Sequence, residues 1–331
     1  MKTAVIFFIL MSLFSCTRSL KPLVKIDGSS TVYPISEAIA EEYLVRYQID
    51  QKIEKSKITV GVSGTGGGFK KLCRGDIDIS GASRPISEKE IADCKKNNIE
   101  YFEIPIAYDA AVVVVNPKNK LDQITLSDLK KIWSPDSQKS VLKWTDINPE
   151  WMTKKISLFG AGSDSGTFDY FTEAIVGKAK SSRSDYTASE DDNIIVKGVA
   201  ADEGALGYLP YAYYVENKTE LKALAIENKY GKFIVPSEST VQDGTYSPLS
   251  RPLFIYVNAK SLENKSIQIF LEFYIKSAKL IVNEVKSIPF SESAYNQILV
   301  NLKNQKKGTV FNGHTQIGLS VQDLLKKESV K

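Results

Sequence analysis

The sequence predicts an α/β protein of two lobes joined by a pair of crossing strands, and two observations carry this. A β-type run, a turn rich in Gly, Ser and Thr, and an amphipathic helix follow one another three times, at "VKIDGSSTVYPISEAIAEEY", "KITVGVSGTGGGFKKLCRG" and "KISLFGAGSDSGTFDYFTEAIVG". Such alternation builds helix-flanked, largely parallel sheets. Strand-like runs then cross from one half of the chain to the other near residue 107 and again near residue 250. Both chain ends therefore fall in the same half, and 331 residues suffice for two cores.

The elements follow in order. "MKTAVIFFILMSLFSC" carries one Lys and an apolar run from Ala4 to Phe14, too short for a stable membrane span. It ends at Leu13-Phe14-Ser15-Cys16, which resembles the bacterial lipoprotein cleavage box. Either residues 1–15 are a lipoprotein signal peptide, with Cys16 acylated and 16–22 a tether, or the segment is an ordinary secretory signal. "LVKID" reads as a strand, "GSST" as a turn, and Pro34 as part of the first turn of a helix reaching about Tyr47. After the second strand–turn–helix unit, "DIDISGASRP" is a short strand, and Ser87 and Glu90 have the spacing of a capping box. "IEYFEIPIAYDAAVVVVNP" supplies long β-type runs. "ITLSDLKKIWS" is a helix capped at Ser127 or Thr125, and the helix after "SEDD" is capped at Asp191 or Asp192. "RPLFIYVN" mirrors "AAVVVVNP", and helices dominate from there, "SIQIFLEFYIKSAKLIVNEV" among them.

Composition narrows the partners. Net charge is +4, from 43 basic and 39 acidic residues, and no basic block carries interleaved aromatics. Nucleic acid is therefore not an expected partner, whereas a small anion is permitted. With Cys16 set aside, Cys73 and Cys94 form an even pair in an exported chain. They are either a disulfide or buried free thiols, since both fall in predicted helices. Nothing near them has metal-ligand spacing, so no metal is expected.

The turns "DGSST", "SGTGGG" and "SDSGT" share one design. Each precedes a helix whose first N–H groups lack intrahelical partners and carry the positive end of the macrodipole. Glycine allows close backbone approach and hydroxyls add rotatable donors, which together suit an oxyanion. Helix capping explains each turn by itself; three at strand-to-helix junctions point to binding. A nucleophile elbow would need Ser at the centre of Gly-x-Ser-x-Gly, but Asp164 occupies that place in residues 162–166. His314, the single histidine, lies in a segment that reads as surface loop. "GTGGGFKK" lacks the Lys-Ser/Thr ending of an NTPase phosphate loop.

"DGSSTVYPISEAIAEEY", "VGVSGTGGGFKKLCRGDIDISGASRPIS", "GAGSDSGTFDYF" and "DYTASEDDNIIVKGVAADEGALGYLPYAYY" together resemble the phosphate-binding lipoprotein of bacterial high-affinity phosphate ABC transporters, over nearly the whole mature chain. The resemblance implies a two-lobed periplasmic-binding fold of type II, each lobe a mixed, mostly parallel sheet flanked by helices, with a double-strand hinge. Residues 23–107 and 251–331 would form lobe I, and 108–250 lobe II. It also implies a non-enzymatic, cofactor-free monomer, lipid-anchored in the periplasm or at the cell surface, that closes on one phosphate and passes it to permease subunits.

Matched residue by residue, the resemblance assigns Ser30, Thr31 and the backbone at Val32, then Ser63, Thr65 and Gly66, then Ser165, Gly166 and Thr167 as ligand contacts. Two departures stand out. The well-known branch has an Arg shortly before its Ser-Gly-Thr, where this chain reads "FGAGSD", and it ends its Gly-Ala-Ser turn with an Asp, where this chain has Arg84. Arg84 and Arg183 are the two candidate cations, each either a ligand contact or a structural residue. Asp164 is either the acceptor for the phosphate proton or a helix N-cap. An acidic acceptor would exclude sulfate, which has no proton to donate. Rival readings are a binder of sulfate or molybdate, a phosphate sensor without transport, and an exported phosphatase, which would need a nucleophile or metal cluster.

Overall fold

The structure, a computed structural model, describes residues 24–49, 58–163, 165–189, 191–304, 306–313 and 321–330. The proposed signal peptide and tether, Cys16, Asp164 and His314 lie outside the described residues.

The strands are β1 (Val24–Gly28), β2 (Ile58–Val60), β3 (Ile79–Ala82), β4 (Tyr101–Val115), β5 (Gln123–Ile124), β6 (Ser157–Ala161), β7 (Thr187–Ser189), β8 (Ala205–Pro210), β9 (Lys222–Ala223), β10 (Ala225–Glu227), β11 (Phe233–Ile234) and β12 (Ser250–Asn258). The helices are α1 (Tyr33–Ile49), α2 (Gly64–Arg74), α3 (Glu88–Lys96), α4 (Leu126–Trp133), α5 (Gly166–Val176), α6 (Asp192–Ala201), α7 (Tyr211–Glu216), α8 (Glu238–Gln242), α9 (Lys265–Glu284), α10 (Glu292–Lys303) and α11 (Val321–Val330).

The main sheet runs β2-β1-β3-β12-β4-β8-β6-β7, with β9 added to β4. It is mixed. β1 is parallel to β2 and β3, and β6 is parallel to β7 and β8. β12 is antiparallel to β3 and β4, and β4 is antiparallel to β8. The central antiparallel pairs arise because β4 and β12 traverse the molecule in opposite directions. β4 pairs with β12 through Ala110 and with β8 from Ala111 onward, so one strand serves both halves of the sheet. Every residue of β4 and of β12 is buried, which fits their near-continuous apolar runs.

Local signals end the helices where side chains satisfy free N–H groups. Ser87 and Glu90 form the capping box of α3, Thr125 rather than Ser127 caps α4, and Asp191 caps α6. Gly28 at the end of β1 has φ +140°, and a Cβ there would lie 2.2 Å from the Gly81 carbonyl oxygen. Two glycines at this crossing let β1 and β3 end side by side, which sets the first turn against the third strand.

Of the two alternatives for Cys73 and Cys94, the structure shows the disulfide, with Cα atoms 4.2 Å apart, joining α2 to α3 within an apolar cluster of Phe69, Leu72, Phe254 and Tyr256. In the other half, Phe171 of α5 stacks on Tyr208 at 3.8 Å and Trp133 meets both rings edge-on. These two clusters fix the helices whose N-termini carry the second and third turns.

Candidate functional site

A cavity of about 720 Å³ opens between the two halves. The first turn enters it from the end of β1. Ser29 N–H donates to Gly81 O at 2.9 Å, and the Ser29 carbonyl accepts from the N–H groups of Val32 and Tyr33. Ser29 Oγ accepts from Thr31 N–H at 3.2 Å. The turn is thus tied down by its own backbone, and Ser30 faces the cavity.

In the second turn, Gly64, Thr65 and Gly66 line the wall at the N-terminus of α2. Thr65 Oγ1 accepts from Ser83 N–H at 3.2 Å and lies 3.0 Å from Ser83 Oγ. One of the two hydroxyls donates to the other, so the pair keeps one hydroxyl hydrogen uncommitted between them. Ser63 lines the cavity, but its hydroxyl donates to Asp27 Oδ1 at 2.6 Å. Burial alone would raise the Asp27 carboxyl, but the bonds from Lys71 and Ser63 outweigh it and hold the group below its ordinary value.

The third turn brings Gly166 to the cavity at the first residue of α5. Ser165 Oγ accepts from Thr167 N–H at 3.2 Å and so caps the helix. A Cβ built on Gly166 would lie 2.9 Å from Thr31 Oγ1, 3.1 Å from Ser83 Oγ and 3.7 Å from Arg251 Nη2. Groups from the first turn, the loop after β3, the third turn and β12 therefore converge on one point.

Three acidic and basic pairs contribute to the cavity wall. Arg84 lines the cavity and makes a two-armed contact with Glu90, 2.9 Å to each carboxylate oxygen, over the Phe69 ring. Burial opposes ionisation of Glu90, but Arg84 prevails and keeps its carboxyl below the ordinary value. Arg251 is buried and donates to Asp109. Asp169, in the first turns of α5, has an Oδ1 sealed from solvent without a hydrogen bond, and Lys180 Nζ stands 3.8 Å away, an ion-pair distance. Burial raises the Asp169 carboxyl above its ordinary value, against the pull of Lys180, Arg251 and Arg84.

The sequence expectations divide accordingly. Ser30, Ser63, Thr65, Gly66, Arg84 and Gly166 line the cavity, and Thr31 reaches it through Oγ1. Val32, Ser165 and Thr167 are not lining residues, and the Val32 N–H is committed to Ser29 O. Arg183 requires correction as a candidate cation. It is 4% exposed, and its guanidinium donates to Ile132 O, Val141 O, Gln138 O and both Asp185 oxygens. It organises the chain around the end of α4 and is absent from the cavity lining. Ser83, Asp169, Tyr170 and Arg251 line the cavity without having been singled out. One signal was present for Arg251, a lone cation inside the apolar strand "SRPLFIYVN".

The site is a cluster of hydroxyls, helix N-termini and cations, which suits holding an oxyanion. Among the described residues, no group of three or more His, Cys, Asp or Glu side chains is placed to hold a metal.

Residues 17–278 match the family model described as the PBP superfamily domain. The chain is 46% identical over 311 residues to protein SphX of Synechococcus elongatus, covering 94% of this chain and 90% of that one. It is 38% identical over 288 residues to the phosphate-binding protein PstS of Staphylococcus aureus, covering 86% and 83%. This chain belongs to the PstS-like phosphate-binding protein family. A crystal structure of a possible phosphate-binding protein from Planctomyces limnophilus, 46% identical, superposes with a TM-score of 0.72 over 85% of this chain and 97% of that one. Members of the PstS-like family are extracytoplasmic solute-binding proteins, not enzymes.

Proposed function

We propose that this chain is a lipid-anchored solute-binding protein that captures inorganic phosphate between its lobes and delivers it to the permease of an ABC transporter. The convergence of Thr31 Oγ1, Ser83 Oγ and the α5 N-terminus at Gly166 carries this reading. The reading takes residues 23–107 with 251–331 as one lobe and 108–250 as the other, a division close to where β4 exchanges β12 for β8 at Ala110 and Ala111. Opening about those strands would part the third turn from the first, which it already meets at Gly166.

The donors are Ser30, Thr31, Gly66 and the one hydroxyl hydrogen left by the Thr65–Ser83 pair on one side, and Ser165, Gly166 and Thr167 on the other. Ser63 and the Val32 N–H drop out because their hydrogens are already committed. An acidic acceptor for the phosphate proton is offered by Asp169, whose raised pKa and cavity position suit it, with Asp164 the alternative. Acylation of Cys16 would tether a monomer to the membrane, and no helix among the described residues is long and apolar enough to cross one.

The test is calorimetric titration of the mature protein, stripped of ligand by unfolding and refolding, with phosphate and then sulfate. One-to-one phosphate binding without a sulfate response is expected. Binding of sulfate with equal affinity would overturn the acidic acceptor. No response to either anion would overturn the oxyanion reading itself.

A further inference from the structure

Arg251 and Asp109 stand directly opposite each other in the antiparallel ladder of β12 and β4. They are 6% and 9% exposed. Arg251 Nε and Nη2 both donate to the same oxygen, Asp109 Oδ2, at 3.2 and 2.9 Å. The guanidinium lies 4.4 Å from the centre of the Tyr170 ring, and the Tyr170 hydroxyl is anchored to Ser250 O at 2.6 Å. The arginine is therefore clamped on one edge by a carboxylate and on one face by an aromatic ring.

A guanidinium has five N–H donors, and the bonds to Asp109 use two of them. Nη2 also approaches the point where Thr31, Ser83 and Gly166 converge, 3.7 Å from the Gly166 Cβ position. The other arginines differ. Arg84 meets both oxygens of Glu90 and also donates to Pro85 O, while Arg183 is enclosed by carbonyls and Asp185. Arg251 thus combines burial, a rigid setting and donors left over at the convergence point.

Its place in the fold adds a second consequence. β4 exchanges β12 for β8 between Ala110 and Ala111, immediately after Asp109. A residue at the exchange moves least when one half rotates against the other. Were the first and third turns, which meet at Gly166, to separate, Arg251 would keep its place.

We propose that Arg251 is the cation that meets the bound oxyanion, and that Asp109 is the positioning residue that holds it at the crossing strands. Anion, arginine and crossing strands then form one electrostatic unit, and the donors of both halves close onto a charge that is already in position. This rests on the oxyanion reading above.

Removing Arg251 alone would leave Asp109 buried without its partner, so the informative variant is Arg251→Gln with Asp109→Asn, a neutral pair of similar shape. Phosphate titration and melting curves with and without phosphate are measured for this double variant, Arg251→Lys, Asp109→Asn, Arg84→Gln and the native protein. The double variant is expected to melt cooperatively, to bind phosphate about 100-fold more weakly, and to lose the phosphate-induced rise in Tm. Arg251→Lys, which keeps the charge but not the planar fork, should recover about tenfold of that loss. Asp109→Asn should weaken binding less than the double change. Native-like phosphate affinity in the double variant would overturn the assignment, as would a larger loss in Arg84→Gln. If the native protein responds to neither phosphate nor sulfate, the oxyanion reading fails and this inference falls with it. Native binding with intact binding in the double variant would reject the inference alone.

Discussion

A side chain on Gly166 would point at Thr31: its Cβ would stand 2.9 Å from Thr31 Oγ1, although α5 and the first turn are far apart in the chain. Gly166 has no positive φ to forbid alanine, and the atoms it would meet are rotatable hydroxyls. Gly166→Ala should therefore still fold, with a Tm at or slightly below that of the native protein, because Thr31 and Ser83 must turn aside while alanine favours the helix. Its methyl would occupy the place where the donors converge. With each bond to a charged ligand contributing about 1.5–3 kcal/mol, phosphate binding should fall by at least about tenfold. Titration beside a melting curve checks both halves of the expectation. Native-like affinity would show that the anion lies elsewhere in the cavity.

Asp169 should trade stability for selectivity. Burial raises its carboxyl, so any stability it contributes is present below the ordinary carboxylate value and lost as pH rises through its folded pKa. Asp169→Asn should therefore equal or exceed the native Tm at pH 7, with the difference shrinking towards pH 4. The same variant should bind phosphate more weakly while sulfate binding holds or strengthens. An unchanged phosphate-to-sulfate ratio would remove Asp169 as the acceptor.

Glu90 carries the opposite sign. Its carboxyl is lowered, because the Arg84 bonds overcome burial. That contribution is present above the unfolded value and is lost as pH falls through the folded one. Glu90→Gln should cost about 1 kcal/mol at pH 7, since Arg84 is partly exposed, and progressively less below pH 4. Parallel urea titrations of both proteins at pH 7 and at pH 3.5 would measure this; an equal gap at the two values would contradict it.

The Cys73–Cys94 bridge spans 21 residues and joins the helix of the second turn to the helix that carries Glu90. Closing a loop of that length stabilises by about 3 kcal/mol through the unfolded chain. Replacing both cysteines with serine should lower the urea midpoint accordingly. It should also weaken phosphate binding, because α2 and α3 hold Thr65 and Arg84 against the cavity. A variant that loses stability but binds normally would confine the bridge to a structural role.

Much of the site was legible in short stretches. "DGSST", "SGTGGG" and "SDSGT" announce themselves because a strand, a glycine-rich turn and a helix N-terminus are each encoded within a few neighbouring residues. The caps at Ser87 and Asp191 follow from the same local chemistry. The arginines were not legible in this way. "GASRP" and "SRSDY" place Arg84 and Arg183 near promising turns, yet Glu90 engages one and the carbonyls around α4 enclose the other. Ser83 was overlooked beside Arg84, and its relation to Thr65 depends on how β3 ends beside α2.

By itself, then, the sequence determined the strand–helix alternation, the three turns and the two strand crossings, because hydrophobic periodicity, glycine and capping hydroxyls act over a few residues. Only the tertiary structure decided which charged groups remain available at the site. Arg251 reaches the convergence point because β12 aligns with β4 and presents it to Asp109, Tyr170 and Gly166. An arginine's role is set by the acceptors the fold brings within about 3 Å of it, and strand pairing across the molecule, not its neighbours in the chain, chooses those acceptors.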